Sequence, residues 1–232
     1  MPKAFDSWTV LPHKPLDKLE DNLWTVSGKL GATQRRMTLA KLLDGRIIVH
    51  NGIALEETSM GEIEAWGTVA AIVVPNGFHR MDSKIWKARY PNAKVYCPKG
   101  ATKKVSQVLS VDGDYAAIPA DRTVRAFHLD GLEDGEGVLE VRSGDGVTLV
   151  FNDSILNLPP TGGFWGFMLA PTGKISVPRA TRWFVIKNKQ SFVDHLKRLS
   201  ATEGLRRLIF AHGATCSEDP ASVLRAVVSD LS

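Results

Sequence analysis

Runs of apolar, β-branched residues recur along the chain, with short polar segments between them. In the first quarter, three β-type runs follow one another at residues 23–28, 35–43 and 46–51. The Asp44-Gly45 pair between the last two runs is a strong signal for a β-hairpin. The pattern therefore predicts that the fold begins with antiparallel strands.

The middle of the chain alternates between strand and helix patterns. The run at 68–75 is continuously apolar, as in a strand covered on both faces, and a helix-like segment follows at 82–90. A short strand at 93–98 and a helix-like segment at 101–109 continue the alternation. Strand and helix in alternation predict an α/β layer.

Capping residues mark the predicted starts of the first two helices. Ser59 and Glu62 have the spacing of a capping box, which would open a short helix that ends at Trp66. Asp82 or Ser83 would cap the next helix, since both residue types accept hydrogen bonds from the first turn.

The second half of the chain returns to strands before it closes with helices. The pattern predicts three strands, a Gly/Pro-rich loop or lid, an amphipathic helix, a buried strand and a final helix. These occupy residues 123–129, 137–143, 147–153, 157–173, 190–201 and 205–213 and the segment that starts at Asp219-Pro220.

Composition indicates an ordinary globular protein. The chain has 232 residues, of which 44% are hydrophobic and 23% charged, and its formal charge is +4. This length suits a single domain over residues 1–232, with 1–16 as an N-terminal extension. The basic residues are scattered, so a nucleic-acid partner is not expected.

The cysteines and the hydropathy of the chain indicate in which cellular compartment the protein is expected. Cys97 and Cys216 are the two cysteines and have no paired spacing, which argues against a disulfide framework and a cysteine-based zinc site. The first 20 residues lack an apolar core, and no apolar run reaches membrane-spanning length. The sequence therefore predicts a cytoplasmic protein with no membrane partner.

Polar side chains that can bind metal follow several predicted strands. Strand ends in α/β architectures collect functional groups, because their loops meet in a shared crevice. Imidazole and carboxylate groups that converge there would suit a divalent metal. The candidates are His79, Asp82, His128, Asp130, Asp153 and His212. His128 lies inside a strand, where a structural role is the simpler interpretation.

The order of these motifs resembles the metallo-β-lactamase-fold superfamily over roughly residues 17–230. The resemblance is carried by the opening "DNLWTVSG", the hairpin "MTLAKLLDGRIIVHN" and the strand ends "VVPNGFHRM", "VFNDS" and "FAHG". It implies a four-layer αββα sandwich with a metal site between the sheet edges. "PNGFHRMDSKIWKARYPNAKVYCP" resembles an uncharacterised branch in which Pro-Asn-x-x-His replaces the metal motif.

The resemblance also implies that the principal metal motif is degenerate. Asp153 and His212 match the family's bridging aspartate and last histidine, but the family's T-H-x-H-x-D-H loop and its middle histidine have no match. The ligand positions of that loop fall on Asn76, Phe78, Arg80 and Met81. Two-zinc chemistry is therefore not expected. His79 and Asp82 each lie one position beyond a family ligand.

Three functional hypotheses follow. In the first, His79, Asp153 and His212, with Asp82 as a further candidate, hold one zinc, iron or manganese ion for the hydrolysis of an ester, thioester, amide or phosphoester. In the second, the fold is a metal-free, non-catalytic binding or scaffolding protein in which Arg80 compensates the charge of Asp153. In the third, His79 is a general base without metal, oriented by Asp82 or Asp153.

Further residues are predicted to line a pocket for a small-molecule ligand or substrate. They are Asn76, Arg80, His128 and Trp165. Trp165 belongs to an aromatic cluster with Phe164, Phe167 and Met168 in the Gly/Pro-rich loop. That cluster would be a flap over the core, a lid over a hydrophobic ligand, or the contact of a homodimer.

Overall fold

The computed structural model describes residues 3–31 and 33–231, apart from the side chains of Leu30, Thr33 and Trp165. The first half of the chain forms a six-stranded sheet in sequential order. Its first four strands are antiparallel, and the last two run parallel to the fourth. The strands are β1 (Asp17–Glu20), β2 (Leu23–Leu30), β3 (Thr33–Lys41), β4 (Arg46–His50), β5 (Thr68–Val73) and β6 (Lys94–Tyr96).

The second half forms a four-stranded sheet and a small two-stranded one. The strands are β7 (Val124–His128), β8 (Gly137–Ser143), β9 (Gly146–Phe151), β10 (Leu156–Asn157), β11 (Ile175–Ser176) and β12 (Leu205–Phe210). The larger sheet has the order β12-β9-β8-β7, in which β12 is parallel to β9. β10 pairs with β11.

Within the described ranges, six α-helices accompany the sheets: α1 (Glu57–Trp66), α2 (Ser83–Arg89), α3 (Thr102–Val105), α4 (Gly163–Leu169), α5 (Lys189–Ser200) and α6 (Pro220–Leu231). A π-helical turn spans Thr181–Val185, and short 3-10 turns span Lys99–Ala101 and Tyr115–Ala117. Among the described residues, no helix combines the length and the apolar character needed to cross a bilayer.

The period-two alternation of the strands places the core in three layers of side chains. In β9, Leu149 and Phe151 pack with α5 and α6, whereas Val150 between them faces the other sheet. In β4, Ile47 packs with α1 and α2, and Ile48 faces the opposite sheet. Helices therefore cover the outer face of each sheet, and the predicted four-layer αββα sandwich is confirmed.

Some predictions of helix caps and loops from the local sequence are wrong, and in one case a tertiary contact uses the side chain expected to form the cap. The first helix begins at Glu57 and has no side-chain cap, so the predicted capping box at Ser59 is wrong. Asp82 precedes α2 but does not cap it, because its carboxylate is used by Arg35 and by the backbone N–H of Ala54. The predicted loop 157–173 contains α4.

Candidate metal centre

Three strand ends bring two histidines and an aspartate together. His79 follows β5, Asp153 follows β9 and His212 follows β12. The Nε2 atom of His79 lies 3.1 Å from Oδ2 of Asp153, and that of His212 lies 3.3 Å from Oδ1. The two Nε2 atoms are 3.4 Å apart. One ligand atom from each residue therefore lies within 4.8 Å of the others, close enough to share a metal ion.

Carbonyl oxygens orient both imidazole rings. Nδ1 of His79 lies 3.0 Å from Oδ1 of Asn51, and Nδ1 of His212 lies 2.5 Å from the backbone oxygen of Gln34. These oxygens only accept hydrogen bonds, so Nδ1 donates its proton in each ring. The Nε2 lone pairs are consequently directed into the cluster, which is the usual arrangement for histidines that bind metal.

Asn76 shapes the loop that carries His79. Its Oδ1 accepts hydrogen bonds from the backbone N–H groups of Phe78 at 2.8 Å and His79 at 3.2 Å. Its Nδ2 donates to Oδ2 of Asp153 at 2.7 Å and to Glu136 at 3.0 Å. The turn built on Asn76 thus brings His79 to Asp153, although His79 is one residue beyond the family's ligand position.

Glu136 supports Asp153 from inside the protein. Its buried carboxylate accepts hydrogen bonds from the backbone N–H groups of Asp153 at 3.2 Å and Ser154 at 2.7 Å. Burial, together with the charge of Asp153, raises the pKa of Glu136 to about 7. Glu136 holds the chain at the end of β9 and so fixes the backbone of Asp153.

The cluster favours a positive charge at its centre. Burial acts to raise the pKa of Asp153, but His79 and His212 overcome this effect and hold that pKa well below its usual range. Burial acts to lower the pKa of His212, yet Asp153 and the Gln34 carbonyl raise it overall. Two lone pairs 3.4 Å apart beside a carboxylate repel each other unless a proton or a metal cation lies between them.

Asp82 and Arg80 have partners outside this cluster. Asp82 is buried and forms an ion pair with Arg35. Burial raises the pKa of Asp82, and Arg35 partly offsets that effect. Arg80 donates to the backbone oxygen of Lys104 and to Oε1 of Gln107 at 2.8 Å. The structure therefore corrects the expectation that Arg80 pairs with Asp153, since Lys104 of α3 and Gln107 just beyond it supply the acceptors.

The remaining candidates lie in other surroundings. His128 packs against Tyr115, with ring centroids 5.5 Å apart, and its Nδ1 lies 3.8 Å from Asp134. Asp130 pairs with Arg198 and lies 3.2 Å from Nδ1 of His195, so it serves the packing of α5. The side chain of Trp165, predicted to line the pocket, lies outside the described part of the chain.

Sequence reasoning missed Asn51, Gln34 and Glu136. Asn51 has a left-handed backbone with φ of 59°, which asparagine adopts more readily than most residues. Its position directly after β4, at a strand end, was the available signal. For Glu136, the signal was an acid between two glycines before β8. Gln34 acts through its backbone oxygen and left no signal.

Gly213 allows the chain to turn directly after His212. Its φ is +91°, and a Cβ atom there would lie 1.7 Å from the backbone oxygen of Asn157. Arg36 donates to the carbonyl oxygen of Gly213 at 2.7 Å. A side chain at this position would therefore displace either β10 or His212.

Comparisons with known proteins find similarity at the level of the fold. No family model and no curated protein sequence matches the chain. The crystal structure of the DIM-1 metallo-β-lactamase exposed to ceftazidime matches with a TM-score of 0.63 and 11% identity, covering 97% of this chain and 100% of that one. The crystal structure of VMB-1 matches with a TM-score of 0.62 and 11% identity, covering 96% and 99%. The chain therefore has the metallo-β-lactamase fold.

Proposed function

We propose that the protein binds one divalent metal ion through His79, Asp153 and His212 and acts as a hydrolase-like enzyme. The observation that carries the proposal is the convergence of both Nε2 atoms on the Asp153 carboxylate while each Nδ1 is held by a carbonyl oxygen. In this arrangement the lone pairs of the two Nε2 atoms and the carboxylate repel one another, and a bound cation would remove that repulsion.

The donor set fits a divalent metal. Two neutral imidazoles and one carboxylate leave coordination positions open, as in catalytic zinc sites and in the two-histidine, one-carboxylate sites of non-haem iron. When bound, such an ion polarises a substrate oxygen or lowers the pKa of a water molecule. The described residues contain one cluster of this kind, so the proposal is confined to a single ion.

The surrounding side chains would keep the ligands in place. Asn76 holds the loop of His79 and the Oδ2 atom of Asp153 at the same time. Glu136 fixes the backbone of Asp153. Such support of the ligands is usually worth a factor of about 10–100 in metal affinity. The substrate would be an ester, thioester, amide or phosphoester, whose carbonyl or phosphoryl oxygen a metal can polarise.

Metal analysis tests the proposal. Protein purified without an affinity tag is analysed for bound zinc, iron and manganese, and the metal-stripped protein is titrated calorimetrically with each ion. We expect about one equivalent to bind, as a three-ligand site requires. His212→Ala should lose the ion. His13→Ala should keep the ion, because His13 lies on the N-terminal segment, far in sequence from the three ligands.

Two results would count against the metal site. One is less than about a tenth of an equivalent, both as purified and after titration, because a preorganised site fills at accessible metal concentrations. The other is equal binding by the wild type and His212→Ala.

A metal-free binding protein is the alternative, and one contact favours it. Nε2 of His212 lies 3.3 Å from Asp153, and the pKa of His212 is raised, so a proton on His212 can neutralise the carboxylate. His212 would then perform the role that the sequence suggested for Arg80. Absence of metal binding, with a melting temperature that falls in Asp153→Asn, would support this alternative.

A further inference from the structure

An aromatic surface lies on a segment that contacts the proposed metal centre through Thr181. Its aromatic members are Phe164, Phe167, Trp183 and Phe184, which are 70%, 52%, 55% and 65% exposed. They come from α4 and from the π-helical turn Thr181–Val185. We call these four residues, together with Arg179, the aromatic-basic surface. Large side chains exposed this far in a contiguous group usually mark an interaction site.

Ring contacts join Phe167, Trp183, Phe184 and Arg179 into one surface, and Phe164 lies on the same helix as Phe167. The ring centroids of Phe167 and Trp183 are 6.0 Å apart, and those of Trp183 and Phe184 are 6.4 Å apart at an interplanar angle of 88°. The guanidinium of Arg179 lies 4.5 Å from the ring centroid of Phe167. The hydroxyl of Thr181, at the start of the turn, donates to the backbone oxygen of Asp153 at 3.1 Å.

The segment that builds this surface is positively charged. Residues 154–193 contain no aspartate or glutamate, but they contain Lys174, Arg179, Arg182, Lys187 and Lys189. Lys174 is paired with Asp230 of α6. Arg179 donates to the backbone oxygen of Phe167, an uncharged group, and keeps its positive charge. The side chain of Lys187 is exposed.

We propose that the aromatic-basic surface attaches the protein to an anionic lipid bilayer. Aromatic rings favour the boundary between headgroups and acyl chains, and nearby lysines and arginines are attracted to anionic headgroups. A second copy of the chain fits less well, because Arg179 and the other basic residues of the segment would face like charges.

The proposal departs from the expectation, drawn from the sequence, that the protein has no membrane partner. The sequence argument concerned segments that span a bilayer, and the described helices cannot do so. A surface attachment needs only a few exposed apolar side chains with basic residues around them. It would place the adjacent His79–Asp153–His212 cluster close to the lipid headgroups.

Vesicle co-sedimentation tests the proposal with the full chain. Vesicles of phosphatidylcholine alone are compared with vesicles that also contain phosphatidylglycerol, at low and at high salt. We expect binding to the anionic vesicles at low salt, little binding to the neutral ones, and release by high salt.

Paired variants separate the aromatic from the basic contribution. Trp183→Ala combined with Phe184→Ala should weaken binding by about tenfold or more, since it removes two interfacial aromatic rings. The control is Leu43→Ala, which removes an exposed apolar side chain at the β3–β4 hairpin and should bind like the wild type. Arg179→Gln with Lys187→Gln should also weaken binding, whereas Lys18→Gln with Lys94→Gln, equal in charge but on the edges of the first sheet, should not.

Three outcomes would overturn the proposal. In the first, the wild type fails to bind anionic vesicles at low salt, and in the second, a variant pair and its control weaken binding equally. In the third, the protein binds polyglutamate but does not bind vesicles. A dimer in sedimentation velocity that Trp183→Ala with Phe184→Ala dissolves would assign the surface to a second copy. His212→Ala should bind vesicles normally, so a failed metal site would leave this result unchanged.

Discussion

The side chains of Asn51 and His79 are joined by a hydrogen bond of 3.0 Å between Oδ1 and Nδ1. Asn51 also donates from Nδ2 to the backbone oxygen of Arg36 at 2.7 Å, so its own orientation is fixed by β3. The amide oxygen therefore faces His79, and Nε2 of His79 is left to face Asp153. One asparagine at the end of β4 thus sets the tautomer of a histidine 28 residues away.

Removal of the Asn51 acceptor should weaken metal binding. Asn51→Gly tolerates the left-handed backbone but removes the oxygen, and we expect a loss of about 10–100-fold in metal affinity. Asn51→Asp keeps an acceptor for His79 and should remain within a few-fold of the wild type. Calorimetric titration of the stripped proteins measures both, and equal affinities for Asn51→Gly and the wild type would refute the role of Asn51.

Asp82→Asn should affect stability and leave metal content unchanged. The substitution leaves the buried guanidinium of Arg35 without its charged partner, which we expect to cost about 3–5 kcal/mol in the free energy of unfolding. Asp153→Asn should instead remove the metal. Denaturant unfolding and metal analysis of the two variants distinguish these roles, and loss of metal from a folded Asp82→Asn protein would contradict our assignment.

Arg80→Met should destabilise the protein independently of Asp153. Arg80 binds the end of α3 through Lys104 and Gln107, so we expect a cost of about 1–3 kcal/mol. In a double-mutant cycle with Asp153→Asn, the two effects should add to within about 0.5 kcal/mol. A larger coupling energy would indicate an Arg80–Asp153 pair after all.

Gly213→Ala should disturb the proposed metal centre, whereas Gly204→Ala should not. Both glycines have positive φ, but only the new Cβ at position 213 would collide with a neighbour, the backbone oxygen of Asn157. We expect strain of about 1 kcal/mol for Gly204→Ala, and a larger loss of stability with weaker metal binding for Gly213→Ala. Thermal unfolding and metal titration of the pair check this. Normal metal affinity in Gly213→Ala would show that β10 moves instead of His212.

His50 should make the protein less stable in acid. Burial, with a smaller contribution from His79, lowers the pKa of His50 to about 3 from its usual value of 6.5. Below about pH 6.5, His50 therefore takes up a proton in the unfolded chain but remains unprotonated in the folded chain. The free energy of unfolding consequently falls as the pH falls. From this group alone we expect a loss of about 2 kcal/mol between pH 6.5 and pH 4.5.

The variant His50→Gln isolates that contribution. Nε2 of His50 lies 3.2 Å from the hydroxyl of Tyr115, and glutamine also offers a polar group in this buried position. The free energy of unfolding of His50→Gln should depend less steeply on pH than that of the wild type. Identical pH profiles would mean that His50 does not titrate on unfolding.

Periodicity and turn chemistry predicted the strands and the β3–β4 hairpin correctly because they depend on neighbours in sequence. The Asp44-Gly45 turn joins β3 to β4, and Gly45 has the positive φ of 86° that such a turn requires. β9 is apolar on both faces because each face packs against a different layer of the core. The resemblance to metallo-β-lactamases rested on motif order, which survives when individual ligands are replaced.

Site contacts that join distant segments could not be read from such patterns. The sequence offered Asp82 as a further ligand beside His79, but in the structure Asp82 forms an ion pair with Arg35 of β3. Asn76 folded its loop so that His79 reached Asp153.

The sequence by itself determined most of the strands and the strand ends at which polar residues collect, and its resemblance to a known family implied the four layers. Only the tertiary structure decided which of those side chains meet and which hydrogen-bond donors and acceptors surround them. Side-chain direction at a loop depends on partners 60 to 77 residues away, as in the bonds from Asn76 to Glu136 and Asp153. Local sequence rules contain no information about those partners, because the partners become neighbours only when the two sheets pack together.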